Sequence, residues 1–283
     1  MIIRTRERAA AWAAWAKGSA APWHTAALKE VNRCLQEGSF EEAETRARAV
    51  VAARDSRRGR DRRPAAHRKG RYFAVLAATL HGRGAEVLDE LEGLIADLEG
   101  LTGPRRTVLL HARLLRAVIL TDQGRPAEAE AQAEYVLRAA KRITHLTDLW
   151  ELELWALLCL AEALCAQGRH TEAEAIARGH LPHAEDHALT ALHCLLLRSL
   201  SGQGRHEEAL AESDRPVPAP VPAAAGELPL LVAEALHGLG RHEQAKQEAL
   251  RALALCERAF HADHPRTAEV RSLLDRLDRT AAA

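Results

Sequence analysis

Apolar residues recur at three- and four-residue intervals along most of the chain, and one short polar phrase cuts each such stretch. The phrase reads GSFEEA at Gly38 to Ala43, GRPAEA at Gly124 to Ala129 and GRHTEA at Gly168 to Ala173. It returns as GRHEEA at Gly204 to Ala209 and GRHEQA at Gly240 to Ala245, with a degenerate copy, GRGAEV, starting at Gly82. Successive glycines are 44, 42, 44, 36 and 36 residues apart. Self-similarity at such intervals marks an internal repeat of a supersecondary unit.

Each copy has a physical reading. A Leu/Ala-rich helix precedes the glycine, as in LWALLCLAEALCAQ ahead of Gly168. The glycine supplies the left-handed backbone that ends this helix. Acidic residues three and four positions later fall in the first turn of the next helix, where the macrodipole favours negative charge. The alanine five positions after the glycine lets the second helix pack closely on the first. A hairpin of this kind cannot bury both faces alone, so copies must stack into a solenoid with a concave and a convex side.

The pattern resembles the tetratricopeptide repeat. The resemblance runs from about Leu28 to Leu277. It is carried by the inter-helix glycines and by Ala43, Ala129, Ala173, Ala209 and Ala245 of the second helices. The small residue of the first helix is Ala117, Ala161 and Ala233 in three units, but Val31, Val75 and Leu197 in the others. The proline that often closes a repeat is missing. Period and wording are most similar to the longer repeats of kinesin light chain type found in many bacterial proteins. The segment from Ala252 to Leu277 resembles the stretch that joins two such repeats. The resemblance implies an all-α, right-handed superhelical solenoid of about six helix-turn-helix repeats. On this reading residues 1–27 form an N-terminal helical cap and 28–264 the solenoid. Residues 265–283 form a capping helix, over Thr267 to Arg279, and a tail.

Composition agrees with closely packed helices: 47% of residues are hydrophobic, only 4% are aromatic, and Ala and Leu dominate. Thirty-nine basic residues balance 39 acidic ones, which excludes a polyanion binder driven by net charge. Five dispersed cysteines without CxxC spacing read as reduced, buried thiols. No apolar run approaches the roughly 20 residues of a membrane helix. The weak apolar stretch of the N-terminus, broken by Lys17, does not read as an export signal, so a cytoplasmic protein is expected.

Two segments interrupt the array. Residues 54–71 carry nine basic residues against Asp55 and Asp61, a local charge of +7. They read as a solvated linker, or as a basic patch for an acidic partner or nucleic acid; Tyr72 alone, at the edge, offers the stacking that single-strand binders use. Residues 215–229 hold four prolines within seven residues, which forbids helix and favours an extended segment. This insertion is a surface loop, or a strap over the groove. Trp12, Trp15 and Trp23 belong to an Ala-rich helical end, read as a hydrophobic cap with self-association as the alternative.

Candidate chemistry is sparse. His170, His206 and His242 belong to the repeat phrase. His180, His183 and His187 sit at helical spacing, but Pro182 disturbs the helix that would align them, so no metal is expected. No HExxH, GxSxG, P-loop or GxGxxG motif occurs. Neither cofactor nor catalysis is expected. The resemblance instead implies a concave groove lined by first helices, with ligand-facing positions ten, six and three residues before each glycine. A peptide carboxylate clamp would need Lys and Asn in successive repeats there, and only Asn32 matches. The candidate partner-binding residues are Asn32, Tyr72, Leu114, Trp155, Leu158, Glu162, Arg198, Leu230, Glu234 and His237. Trp155 and Arg198 are the preferred anchors, because Trp and Arg dominate interface energetics. The expected ligand is a peptide or protein segment with Leu-type anchors and a charged flank; burial of the leucines within the solenoid is the competing reading.

Overall fold

The computed structural model describes residues 26–55, 64–100, 106–142, 149–184, 186–218, 224–260 and 264–281. Most of the proposed N-terminal cap, residues 1–25 with Trp12, Trp15 and Trp23, lies outside them. Among the described residues every regular element is helical. The helices are α1 (Ala26–Glu37), α2 (Phe40–Asp55), α3 (Pro64–Leu80), α4 (Leu88–Leu98), α5 (Arg106–Asp122), α6 (Pro126–Lys141) and α7 (Trp150–Ala166). They continue with α8 (His170–His180), α9 (Asp186–Gly202), α10 (His206–Ser213), α11 (Glu227–Gly238), α12 (His242–Ala259) and α13 (Pro265–Ala281). Neighbouring helices pack in succession, as a helical-repeat solenoid requires.

The chain divides into two compact units, and the boundary falls inside α7, after Ala156. In the N-terminal unit α1 packs on α2, α3 on α2 and α4, and α5 on α4 and α6. The first helices α1, α3 and α5 also touch in sequence. In the C-terminal unit α9 packs on α8 and α10, α11 on α10 and α12, and α13 on α12; α9, α11 and α13 form its row of first helices.

The phrase at each glycine builds the turn that it predicts. Gly38, Gly82, Gly124, Gly168, Gly204 and Gly240 all have φ between 72° and 90°. The residue after each donates its N–H to a carbonyl five residues back, as in Arg125 to Leu120 and Arg241 to Leu236, both 2.9 Å. This six-to-one bond, with its left-handed glycine, is a Schellman ending. The alanine five positions on is buried in all five full copies. The acidic residue four positions after the glycine has a second role: it pairs with the arginine one position after, as in Arg125–Glu128 and Arg169–Glu172, each 2.6 Å. That ion pair closes the first turn where no side-chain cap is present. The phrase histidines are packing residues. A Cβ on Gly202 or Gly238 would lie 2.3 Å from the ring of His170 or His206, so each ring rests on the bare backbone of the next first helix.

Carboxylates six positions after two of the glycines join adjacent hairpins. Glu44 pairs with Arg48 at 2.9 Å and with Arg83 of the following turn. Glu174, in the same register, pairs with Arg178 at 2.7 Å and Arg205 at 2.6 Å, and accepts a hydrogen bond from Gln203 at 2.8 Å.

The interruptions are shorter than the composition suggests. Within 54–71 the last residues of α2 reach Asp55 and α3 starts at Pro64, so Pro64 to Arg71 are helix. Lys69 is buried and Arg71 pairs with Asp97, because the first turns of α3 pack as the start of a first helix. Residues 56–63 lie outside the described part. The proline-rich stretch leaves α10 only eight residues long, as its prolines demand, but Glu227 to Pro229 already belong to α11. Its two ends are tied down: Thr190 Oγ1 donates to Pro218 O at 3.4 Å, and Cys256 Sγ to Ala225 O at 3.6 Å. Gly226 closes the segment with φ 77°, and a Cβ there would sit 2.5 Å from Cys256 Sγ. The last helix starts two residues earlier than expected, buries Val270, Leu273 and Leu277, and exposes Arg271, Asp275 and Asp278.

Candidate functional site: the faces of the first helices

Positions thirteen, ten, six and three residues before the glycine fall within an arc of roughly 80° on an ideal helix. They therefore share one face of each first helix.

In the N-terminal unit this face is apolar and closed. Tyr72 and Leu114 are fully buried, Trp155 is 1% exposed, and Asn32 is half-buried on α1. The rings form a row across three helices: Tyr72 meets His111 edge-on at 6.3 Å, and His111 meets Trp155 at 5.6 Å. Trp155 was expected as a surface anchor; its ring is instead part of this packed row. His111 Nδ1 donates to Thr107 O at 2.7 Å. Burial pushes its imidazole down to about 4, with nearby Lys69 acting the same way and the Thr107 bond opposing. Lys69 is 2% exposed, and burial lowers its amine to about 6, so it is uncharged at neutral pH.

In the C-terminal unit the same face is ionic. Leu158 and Leu230 are buried, whereas Glu162, Arg198, Glu234 and His237 are partly exposed. Arg198 Nη2 lies 3.6 Å from Glu227 Oε1, and Arg266 Nη1 lies 2.8 Å from Glu227 Oε2. Glu227 and Arg266 are 2% and 1% exposed. Burial alone would raise the Glu227 carboxyl, but nearby positive charge, that of Arg266 foremost and that of Arg198 among the rest, outweighs it and holds the group at about 2. Among the described residues no hydrogen-bond acceptor meets Nε or Nη2 of Arg266, whose guanidinium is held by the opposite charge of Glu227. Burial also acts to lower the Arg198 guanidinium, but Glu269, Glu227 and Glu234 together raise it. Burial raises Glu234, Glu269 adds to that, and Arg198 and Arg276 oppose it. His237 Nδ1 lies 3.4 Å from His242 Nδ1; burial, His242 and Arg276 all lower its pKa.

The structure thus divides the ten candidates. Asn32, Tyr72, Leu114 and Trp155 belong to the N-terminal unit and line a packed wall. Arg198, Glu234 and His237 present polar groups on neighbouring first helices of the C-terminal unit, with Leu158 and Leu230 buried and Glu162 on α7. Lys69, His111 and Glu227 were missed, although each lies thirteen residues before its glycine, as Trp155 does. Extending the register by one helical turn finds them. Arg266 had no such signal, because it sits next to Pro265 at the start of a helix that has no phrase after it. Among the described residues no group of three or more His, Cys, Asp or Glu is placed to hold a metal ion. No described helix is long and apolar enough to cross a membrane.

Residues 232–266, covering most of α11, all of α12 and the start of α13, match the family model of the tetratricopeptide repeat. No curated protein matches the chain.

Proposed function

We propose, for a chain that carries a tetratricopeptide repeat and hence a protein–protein interaction scaffold, that it works as a non-catalytic adaptor or regulator. Its partner is a peptide or protein segment held along the first helices. The observation that carries this reading is the register of Arg198, Glu234 and His237. They recur at fixed distances from successive glycines, are partly exposed, and lie on packed neighbours α9 and α11. A segment with alternating charge complements Arg198 and Glu234, while buried leucines beside them form a rigid base. Rigid presentation lowers the ordering cost of binding. The basic residues of 56–63 lie outside the described part and Lys69 is buried, so no observation favours nucleic acid.

The test is capture from cell extract by the immobilised chain, wild type beside an Arg198→Ala, His237→Ala variant of unchanged helicity. A specific protein held by the wild type should be weakened at least about tenfold in the variant, the loss of roughly 1.4 kcal/mol that one well-packed interface Arg can supply. Equal retention of that protein would move the binding surface away from α9 and α11.

A further inference from the structure

The histidines of the repeat phrase do not all end in the same place. The rings of His170 and His206 rest on Gly202 and Gly238, each on the first helix that follows. One period further on, 36 residues after Gly238, stands Leu274 of α13, which puts a side chain where the two glycines leave none. The ring of His242 lies beside His237 of its own hairpin, with centroids 5.4 Å apart and planes at 53°. His237 is three residues before Gly240, a place held by Leu35, Thr79, Thr121, Cys165 and Ser201 in the other units. Only the last unit therefore carries an imidazole on both sides of its turn.

We propose that His237 and His242 form a two-point chelate for a divalent transition metal of the zinc class. The Nδ1 atoms are 3.4 Å apart. That is longer than the roughly 2.7–3.2 Å of a good N–H hydrogen bond. It equals the gap of about 3.4 Å between two nitrogens that each bind one tetrahedral zinc ion at about 2.1 Å. The turn between the two residues is fixed, because Gly240 has φ 72° and Arg241 N–H donates to Leu236 O at 2.9 Å. Both rings are partly exposed, so an ion can reach them. Burial, His242 and Arg276 favour the neutral ring at His237, the form that binds metal. The charge of Arg276 works against any cation, so affinity has to come from imidazole chemistry. That favours zinc, nickel and copper over magnesium and calcium. Among the described residues no third His, Cys, Asp or Glu joins the pair, so water fills the other positions of the ion, as at open zinc sites.

Histidine footprinting of the full-length chain with diethyl pyrocarbonate, read residue by residue by mass spectrometry, tests this. Metal on Nδ1 leaves Nε2 protonated and unreactive toward the reagent. At neutral pH stoichiometric zinc should slow labelling of both His237 and His242 at least about tenfold, and excess magnesium should slow neither. In a His237→Ala variant zinc should no longer protect His242, and in His242→Ala it should no longer protect His237, because one imidazole alone binds weakly. Exposed His183 lies outside the pair, so His183→Ala should leave both protected. Zinc that slows neither residue, or only one of them, overturns the proposal. So does protection of His242 that survives His237→Ala, or equal protection by magnesium. The wild-type footprint needs neither a variant nor a partner, so failure of the capture experiment and failure of this proposal are separate results.

Discussion

The two units bury ionisable groups at the same place in the repeat, thirteen residues before the glycine, and treat them in opposite ways. In the N-terminal unit Lys69 and His111 are buried among rings, and burial drives both toward their neutral forms, to about 6 and about 4. In the C-terminal unit Glu227 is buried to the same degree but stays charged, at about 2, because positive charge, Arg266 foremost, lies close to it. Burial alone therefore does not decide ionisation; the neighbours on the adjoining first helices do. One wall becomes apolar in effect, whereas the other keeps fixed charges.

Removing one partner of the compensated cluster should break the comparison most strongly. Arg266→Ala removes the guanidinium that lies 2.8 Å from buried Glu227, and should destabilise the C-terminal unit by about 3–5 kcal/mol in urea unfolding. The joint change Glu227→Leu, Arg266→Met should recover most of that loss, because an apolar pair carries no desolvation cost. A single variant as stable as the wild type would mean that the ion pair does not hold α11 to α13.

Lys69 gives a smaller effect of opposite sign. Its folded pKa, about 6, is below its unfolded value near 10.5, so the unfolded chain holds the extra proton between those values. Stability should rise with pH across that window, and the penalty is complete below about 6. Lys69→Met should remove this slope and raise stability at neutral pH by on the order of 2 kcal/mol, seen as a higher urea midpoint. Glu227 acts at the other end: its contribution is present above 4.5 and is lost as pH falls toward 2. A Lys69→Met chain with an unchanged slope between neutral and alkaline pH would contradict a neutral buried lysine.

The smallest expected change sharpens the comparison by testing something the units share. Glu174→Gln weakens the contacts to Arg178 and Arg205 at the hairpin junction, and should cost about 1 kcal/mol in the C-terminal unit. Glu44→Gln should cost a similar amount in the N-terminal unit, since Glu44 joins Arg48 and Arg83 in the same register. Unequal losses would show that one junction carries more of the stack than the other.

Much of the hairpin was legible because its determinants are local. A glycine that must be left-handed, an alanine that must be small and an acid in the first helical turn all act within six residues, so the phrase at Gly168 announces its own turn. The site was less legible. Leu114, Leu158 and Leu230 fit the groove offsets but are buried, and Trp155, which has the composition of an anchor, packs on His111. Offset in sequence says which face a residue occupies. It does not say what stands opposite that face.

The sequence by itself determined the repeat, the helical hairpins and the row that each first-helix residue joins, because these follow from backbone conformation and periodicity over a few residues. Only the tertiary structure decided that Lys69 loses its charge while Glu227 keeps one. It also decided that the helix after Pro265 supplies Arg266, and that the basic and proline-rich segments shrink as α3 and α11 grow into them. Those outcomes depend on desolvation and on charges brought together from residues 29 to 39 positions apart, as with Arg198, Glu227 and Arg266. Such distances carry no pattern along the chain.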